Sequence, residues 1–414
     1  MPVWDVAVVG AGPGGAAAAH LFAGRGLRTL LVDRAQFPRD KTCGDAMTPR
    51  AVAIASEMGA LPELLDHGYR IGDFEVTSPR GRTAVARVPD RDGVPALVVP
   101  RFRLDDALRR RAVAAGAVFA GGCAIQDLEL RHDRVLLRGT LDRRPYVAQA
   151  RIVVAATGAA TGLLQRAGLL RGRPTFMIAA RRYVSGLPRP APRLRIGYAG
   201  TDVLGYGWVF PTSDSTVNLG AGIFRRQPGL AAAGLLSTFL RASALSRYVE
   251  GGTEGSLQSY PLRTDFTTSR TYGERVLLVG EAAGLVNPLS GEGIDAALES
   301  GRIAGRRVLE MFARGKFDEV EHQLYDAELR DRYQQVFETC TRLRDVFVRS
   351  RPALQRFAVE TAIWMARTNP RLAPRLGELV LENQPIQVPT TPLGLVRSWL
   401  RRAPRPSPSP APLA

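Results

Sequence analysis

VWDVAVVGAGPGGAAAAHLFAGRGLRTLLVD, residues 3–33, begins as an apolar β-prone run, turns through closely spaced glycines, continues as a small-residue helix, and ends in a second apolar run. Strand, tight turn, helix and strand in this order make a βαβ unit. Gly10, Gly12 and Gly15 match GxGxxG. A side chain at Gly12 would hold the backbone away from a pyrophosphate, Gly15 lets helix and strand pack closely, and the helix N-terminus offers N–H groups to an anion. Asp33 closes the second strand, where an acid accepts the ribose hydroxyls of an adenosine. The unit predicts a dinucleotide site without specifying which dinucleotide.

Outward from this unit the pattern changes. Between about 70 and 100, short alternating runs (DFEVTS, TAVARV, PALVVP) separated by Pro and Gly predict an antiparallel insertion. RFRLDDALRRRAVAAG reads as an amphipathic helix, followed by strands near 117–120, 124–130 and 134–138 and a buried strand, ARIVVAATG, ending at Gly158. Residues 174–260 alternate again, with one helix near 229–242, and predict a second, mostly antiparallel sheet. RVLLVG is one more buried strand. IDAALESGRIAGRRVLEMF places Ile294, Ala297, Leu298, Gly301 and Val308 on one helix face. The expected fold is α/β: a discontinuous Rossmann-like dinucleotide domain (1–70, 100–170 and 270–315), a substrate-binding sheet domain (71–99 and 171–269), a helical region (316–400) and a disordered tail (401–414).

A chain of 414 residues is long enough for two or three packed units. The net charge of +17 invites a nucleic-acid reading, yet only Lys41 and Lys316 are lysines. So arginine-biased a composition looks like codon bias, and no basic run is interleaved with aromatics as in single-strand binders. No nucleic-acid partner is expected. Cys43, Cys123 and Cys340 are far apart, with no CxxC or His at ligand spacing, which argues against disulfides and metal. His20, His67, His132 and His322 are read in a helix, a turn, a polar strand edge and a surface helix, and support no Ser-His-Asp site. The start lacks the basic stretch of a secretory leader, and no apolar run is long enough to span a bilayer, so a cytoplasmic location is expected. From 341 to 405 twelve arginines face four acids, and LGLVRSWLRR alternates apolar and basic positions. That end is read as a peripheral membrane contact or as a solvated cationic helix.

Several stretches in order, DVAVVGAGPGGAAAA, LLVDRAQFPRDKTCGDAMTPRAV, PRFRLDDAL, VVAATG and VLLVGEAAGLVNPLSGEGIDAALESG, resemble FAD-dependent oxidoreductases of the para-hydroxybenzoate-hydroxylase fold. Among these the chain looks most like the geranylgeranyl reductase family, which includes menaquinone side-chain reductases. The resemblance implies FAD as cofactor, with Gly280 and Glu281 at the ribityl chain and the turn LSGEGI starting a helix beneath the flavin. N–H groups at Gly291, Gly293 and Ile294 would stabilise negative charge on its pyrimidine edge. It also implies that Arg101 reaches the cofactor phosphates, that Ala124 passes the adenine, and that Arg34, Cys43 and Gly44 lie near the cofactor.

One position departs from the family: Thr157 precedes Gly158 where relatives carry Asp. The electron donor is therefore left between NADPH and a small acidic redox protein. YGWVFP resembles the family's YxWxFP signature, so Tyr206, Trp208, Phe210 and Pro211 are expected to line an apolar substrate channel. Reducing an unpolarised alkene by hydride from flavin N5 needs a proton at the neighbouring carbon. Cys43, Asp45 and Tyr206 are the candidate donors. Flavin monooxygenation of an aromatic or polyketide substrate and a non-catalytic flavin or lipid carrier are the alternatives; halogenation needs an active-site lysine, and only Lys41 comes near the flavin loop.

Overall fold

The computed structural model describes residues 3–369, apart from 89, 92, 171, 199–204, 225–231 and 243. The expected tail and the LGLVRSWLRR segment lie outside the described residues.

The βαβ unit forms as read: strand Val3–Val9, helix Pro13–Gly24, strand Thr29–Asp33. These strands occupy the middle of an eight-stranded sheet, ordered 272–273, 276–278, 144–155, 3–9, 29–33 and 118–121. The inner pairings are parallel, with Val6 opposite Ile152 and Val8 opposite Val154. Both faces of the central strands are covered, so Val6, Val8, Leu31, Val153 and Leu277 are wholly buried in the largest apolar cluster. A hairpin, Cys123–Leu130 with Val135–Leu141, extends the sheet antiparallel to 144–155.

The helix Ile294–Arg314 packs across Pro13–Gly24 at close range. A Cβ at Gly301 would stand 2.2 Å from the Gly14 carbonyl oxygen, so only glycine admits this approach. Its N-terminus is thereby fixed beside the glycine-rich turn.

The second sheet is ordered 253–254, 176–185, 217–223, 205–211, 193–197, 73–77 and 83–87, with 258–263 also on 176–185. Every pairing is antiparallel except that of 193–197 with 73–77. Of the inserted segment, 73–77 and 83–87 join this sheet, whereas Ala96–Val98 pairs with Ala46–Met47 and Tyr69–Ile71 in a small sheet of its own. A helix, Ala232–Ala242, covers one face of the second sheet. Helices Glu319–Arg349 and Pro352–Thr368 follow. His322, expected on a helix surface, is buried: its Nδ1 lies at the Asp318 carbonyl and its ring stacks on Tyr272.

Candidate active site

A cavity of about 1240 Å³ runs between the two large sheets, lined at one end by the glycine turn and at the other by the second sheet and the last helices. At the turn, Gly10 has φ +110° and a Cβ there would meet the Ala156 carbonyl oxygen at 2.2 Å. A Cβ at Gly15 would meet the Gly10 carbonyl oxygen at 1.9 Å. Gly12 differs: the nearest atom to its Cβ position is Arg39 Nη2 at 3.5 Å, so nothing in the protein requires glycine there. The space it leaves opens into the cavity, as a ligand's close backbone approach demands. Asp33 lines the same end, its Oδ2 accepting from Ala11 N–H (2.8 Å) and its Oδ1 from Ala35 N–H (2.9 Å). Arg34, Ala124, Gly158 and Gly280 are also on the wall. Thr157 Oγ1 is buried on this wall with no partner in the protein, a polar atom left for a ligand. These features fit a dinucleotide.

The turn 284–293 is built by Asn287, which the sequence reading passed over. Its Oδ1 accepts from Leu289 N–H (2.9 Å) and Ser290 N–H (3.1 Å), and its carbonyl accepts from Gly291 N–H (2.9 Å). Gly291 takes φ +70°, and Gly293 immediately precedes the helix at Ile294; all three residues line the cavity. The Glu292 carboxylate accepts from Asp295 N–H (2.9 Å), while Gly293 caps nothing with a side chain. Glu281 is already engaged: Oε2 takes Lys41 Nζ at 2.8 Å and Oε1 takes Arg263 N–H at 3.0 Å. Arg101 lies on the wall, but its Nε and Nη2 hold Asp105 at 2.7 and 2.8 Å. Arg39, from the loop after the second strand, grips the same carboxylate at 2.7 Å. Lys41 and Arg39 thus bring further positive charge to the cradle; their place in FPRDKTCGDAM was the signal available.

On the substrate side, the strand Gly205–Pro211 alternates. Tyr206, Trp208 and Phe210 face the cavity, while Pro211 is buried at the strand end and is not on the wall. Their rings are 6.1 and 6.2 Å apart in sequence order. Across the ladder Trp208 opposes Gly220, whose absent Cβ would lie 2.0 Å from the indole. The Cys-Gly loop meets this wall, with the Gly44 Cβ position 3.0 Å from the Phe210 ring.

The three proton-donor candidates all line the cavity. Tyr206 Oη donates to the Ser290 carbonyl, and burial pushes its phenol up. Desolvation pushes the half-buried Cys43 thiol up, opposed by the positive charge of Arg101. Asp45 is wholly buried in a left-handed conformation (φ +65°), and desolvation raises its carboxyl to about 6 against the hydrogen bonds it receives. Those come from Tyr183 Oη (2.6 Å) and Asn218 Nδ2 (2.8 Å), both to Oδ2. Asn218 Nδ2 also holds the Cys43 carbonyl (2.7 Å), and Trp208 Nε1 donates to Asn218 Oδ1 (3.0 Å). Tyr183 and Asn218 are ordinary strand residues in sequence and gave no signal. Among the described residues no cluster of metal-ligating side chains occurs and all three cysteines are free.

The FAD binding domain family matches residues 3–182. Over 319 residues the chain is 35% identical to a menaquinone reductase of Mycobacterium tuberculosis, spanning 72% of this chain and 75% of that one. It is 30% identical over 361 residues to digeranylgeranylglycerophospholipid reductase 1 of Methanopyrus kandleri, spanning 83% and 88%. A geranylgeranyl bacteriochlorophyll reductase-like protein from Thermoplasma acidophilum shares the fold at TM-score 0.78 and 20% identity, over 92% of this chain and all of that one. A flavin-dependent brominase shares it at TM-score 0.74 and 19% identity, over 92% and 93%. With the glycine cradle, the Cys-Gly loop and the aromatic strand meeting in one cavity, the chain belongs to the geranylgeranyl reductase family of FAD-dependent oxidoreductases.

Proposed function

We propose that this protein reduces carbon–carbon double bonds of an isoprenoid or similarly apolar substrate. The observation that carries this reading is the continuity of one cavity from the Gly12 cradle to the apolar wall of Tyr206, Trp208 and Phe210. Such a wall suits a hydrocarbon chain, which gains about 25 cal/mol per Å² of apolar surface removed from water. The names of the relatives point the same way.

Gly12, Asp33, Arg34 and the backbone around Gly158, Gly280 and Ile294 would hold FAD, which supplies a hydride when bound in its reduced form. The protein's own part is to hold the alkene against the aromatic wall, exclude water and deliver a proton. NADPH or a small acidic redox protein would reduce the cofactor; the basic surface favours either anionic partner.

The cavity's far end is closed by Val359, Ile363 and Ala366 of the last described helix. The other side of that helix exposes Leu354 and Phe357, 56% and 66% accessible, with exposed Arg351 one turn before Leu354. An exposed apolar pair with a cation one turn away, on a helix that lines the substrate cavity, supports peripheral contact with an anionic membrane surface, from the cytoplasmic side. Among the described residues no helix is long and apolar enough to cross a membrane.

Oxygen transfer is the second reading, since solved proteins of this fold perform other flavin chemistry. Halogenation finds less support, because the Lys41 ammonium is held by Glu281 in the cradle. Anaerobic reoxidation decides between reductase and oxygenase. Reduced protein that regains its oxidised spectrum on addition of a polyprenyl substrate supports the reductase. Recovery only with oxygen, with a product heavier by one oxygen atom, overturns it in favour of oxygenation.

A further inference from the structure

Asp45 brings three features together on the cavity wall. It is wholly buried, its backbone is held left-handed, and its Oδ1 has no hydrogen-bond partner in the protein. Asp45 lines the cavity, and a buried carboxylate oxygen without a protein partner is costly, which marks it for a ligand. We propose that Asp45 is the general acid of the alkene reduction, carrying its proton on Oδ1, with Tyr183, Asn218 and Trp208 as its positioning residues. This rests on the reductase reading above.

The hydrogen bonds select the protonated oxygen. Tyr183 Oη and Asn218 Nδ2 both donate to Oδ2, so that oxygen is an acceptor twice over and the proton resides on Oδ1. Asn218 cannot reverse its amide without cost, because Trp208 Nε1 donates to its Oδ1 at 3.0 Å. The residue that walls the substrate channel therefore also fixes the acid. The other two candidates are less suited. The Tyr206 hydroxyl proton is committed to the Ser290 carbonyl. The Cys43 thiol is pushed up by desolvation in spite of the Arg101 cation, so it holds its proton more tightly than an ordinary thiol and is the weaker acid.

Around Asp45 the charged and titratable groups are Cys43 on its own loop, Arg101 from the 101–114 helix, and Arg181 and Tyr183 from the 176–185 strand. Arg181 lies 4.5 Å from the Tyr183 ring centroid and is itself paired to Asp40 at 2.6 Å. Desolvation outweighs these cations and raises the carboxyl to about 6, close enough to neutrality for an acid that must give up and regain a proton each cycle. An apolar chain filling the cavity expels water and raises it further.

In the step, the alkene π pair is consumed. One carbon forms a C–H bond with the hydride supplied by reduced FAD, and its neighbour forms a C–H bond with the Asp45 proton. The substrate is reduced by two electrons, FAD is left oxidised, and Asp45 is left a carboxylate that solvent reprotonates.

The test uses FAD-loaded protein and a twenty-carbon polyprenyl alcohol. D45N keeps the left-handed backbone, which Asn tolerates, and removes the acid. Its anaerobic single-turnover reoxidation is expected to slow about 100-fold or more, while the change in flavin absorbance on substrate binding persists. Infrared spectra without substrate should show a protonated-carboxyl band that titrates near pH 6 in the wild type and is missing from D45N. Y183F removes a donor to the ionised form, so its alkaline limb should move to higher pH. Reoxidation of D45N within threefold of wild type overturns the proposal. So does a titrating carboxyl band that survives in D45N, or an alkaline limb that moves in C43S but not in Y183F. If wild-type protein is not reoxidised by the polyprenol at all, the reductase reading itself fails; a fast wild type and an equally fast D45N refute Asp45 alone.

Discussion

Lys41 and Glu281, 240 residues apart, meet with Nζ 2.8 Å from Oε2 and so tie the loop after the second strand to the turn after the last strand of the dinucleotide sheet. The carboxylate is 9% exposed and its other oxygen holds the Arg263 N–H, so removing the ammonium leaves a nearly buried charge short of a partner. Loss of a charged hydrogen bond costs about 1.5–3 kcal/mol. K41M should therefore weaken FAD binding about 10- to 100-fold in titrations of apoprotein, and E281Q combined with K41M should recover part of that loss, because the two changes share one interaction. Equal affinities in K41M and wild type would remove the pair from the cradle.

Gly12 and Gly15 should separate folding from cofactor binding. Ala at 15 puts a Cβ 1.9 Å from the Gly10 carbonyl oxygen, a backbone clash with no side chain to yield. G15A should fail to fold or melt far below wild type. At Gly12 the nearest atom is 3.5 Å away, so G12A should melt like wild-type apoprotein yet lose most of its FAD affinity. Circular dichroism melts and FAD titration check both. A G12A protein that binds FAD normally would show that the cofactor backbone does not pass there.

The cradle was legible because its requirements are local. Glycines at 10, 12 and 15 and an acid at 33 answer to the geometry of one βαβ unit, and the family's motifs mark the rest. The polar group around Asp45 was not legible. Tyr183 and Asn218 lie 138 and 173 residues away and reach it from strands whose sequences serve equally well as plain sheet. Gly220 was silent for the same reason: only the antiparallel register with Trp208 makes its missing side chain matter. Arg101 lies on the wall as its motif implied, while its pairing with Asp105 four residues on, through two of its nitrogens, was not marked by the motif.

Asp45 also predicts how stability changes with pH. Its folded carboxyl is raised to about 6 from 3.8, chiefly by desolvation, so between those values the folded state binds more protons than the unfolded one. Stability therefore falls as pH rises through this window, by about 3 kcal/mol in total at 1.36 kcal/mol per pK unit. D45N lacks this loss. The difference in unfolding free energy, D45N minus wild type, should grow in favour of the variant from pH 4 to pH 7, as measured by urea unfolding. A difference that is flat with pH would mean that the carboxyl is not raised.

Gly220→Ala should disturb the aromatic wall from behind. A Cβ there falls 2.0 Å from Trp208 Cζ2, so the indole must shift and its hydrogen bond to Asn218 must break or lengthen. Overpacking of this kind costs about 1–3 kcal/mol. The expected result is a lower melting temperature, a shifted tryptophan emission, and slower reoxidation by substrate with FAD affinity unchanged. Unaltered emission and rate would place the indole elsewhere.

The helix Pro352–Thr368 provides the last test, because its two sides have different neighbours. Val359 and Ile363 line the cavity, whereas Leu354 and Phe357, one turn apart, are exposed beside Arg351. Burying a Leu or Phe side chain in an apolar phase contributes about 1.5–3 kcal/mol, so replacing both by Glu should reduce cosedimentation with anionic lipid vesicles by about tenfold or more. Salt should weaken the wild-type interaction, since exposed charges are screened within about 10 Å at 0.1 M. Turnover of a short, water-dispersed polyprenol should persist in L354E/F357E, because neither residue lines the cavity. If vesicle binding is the same in the variant and the wild type, the exposed pair is not the contact, and a membrane role would have to come from another part of the chain.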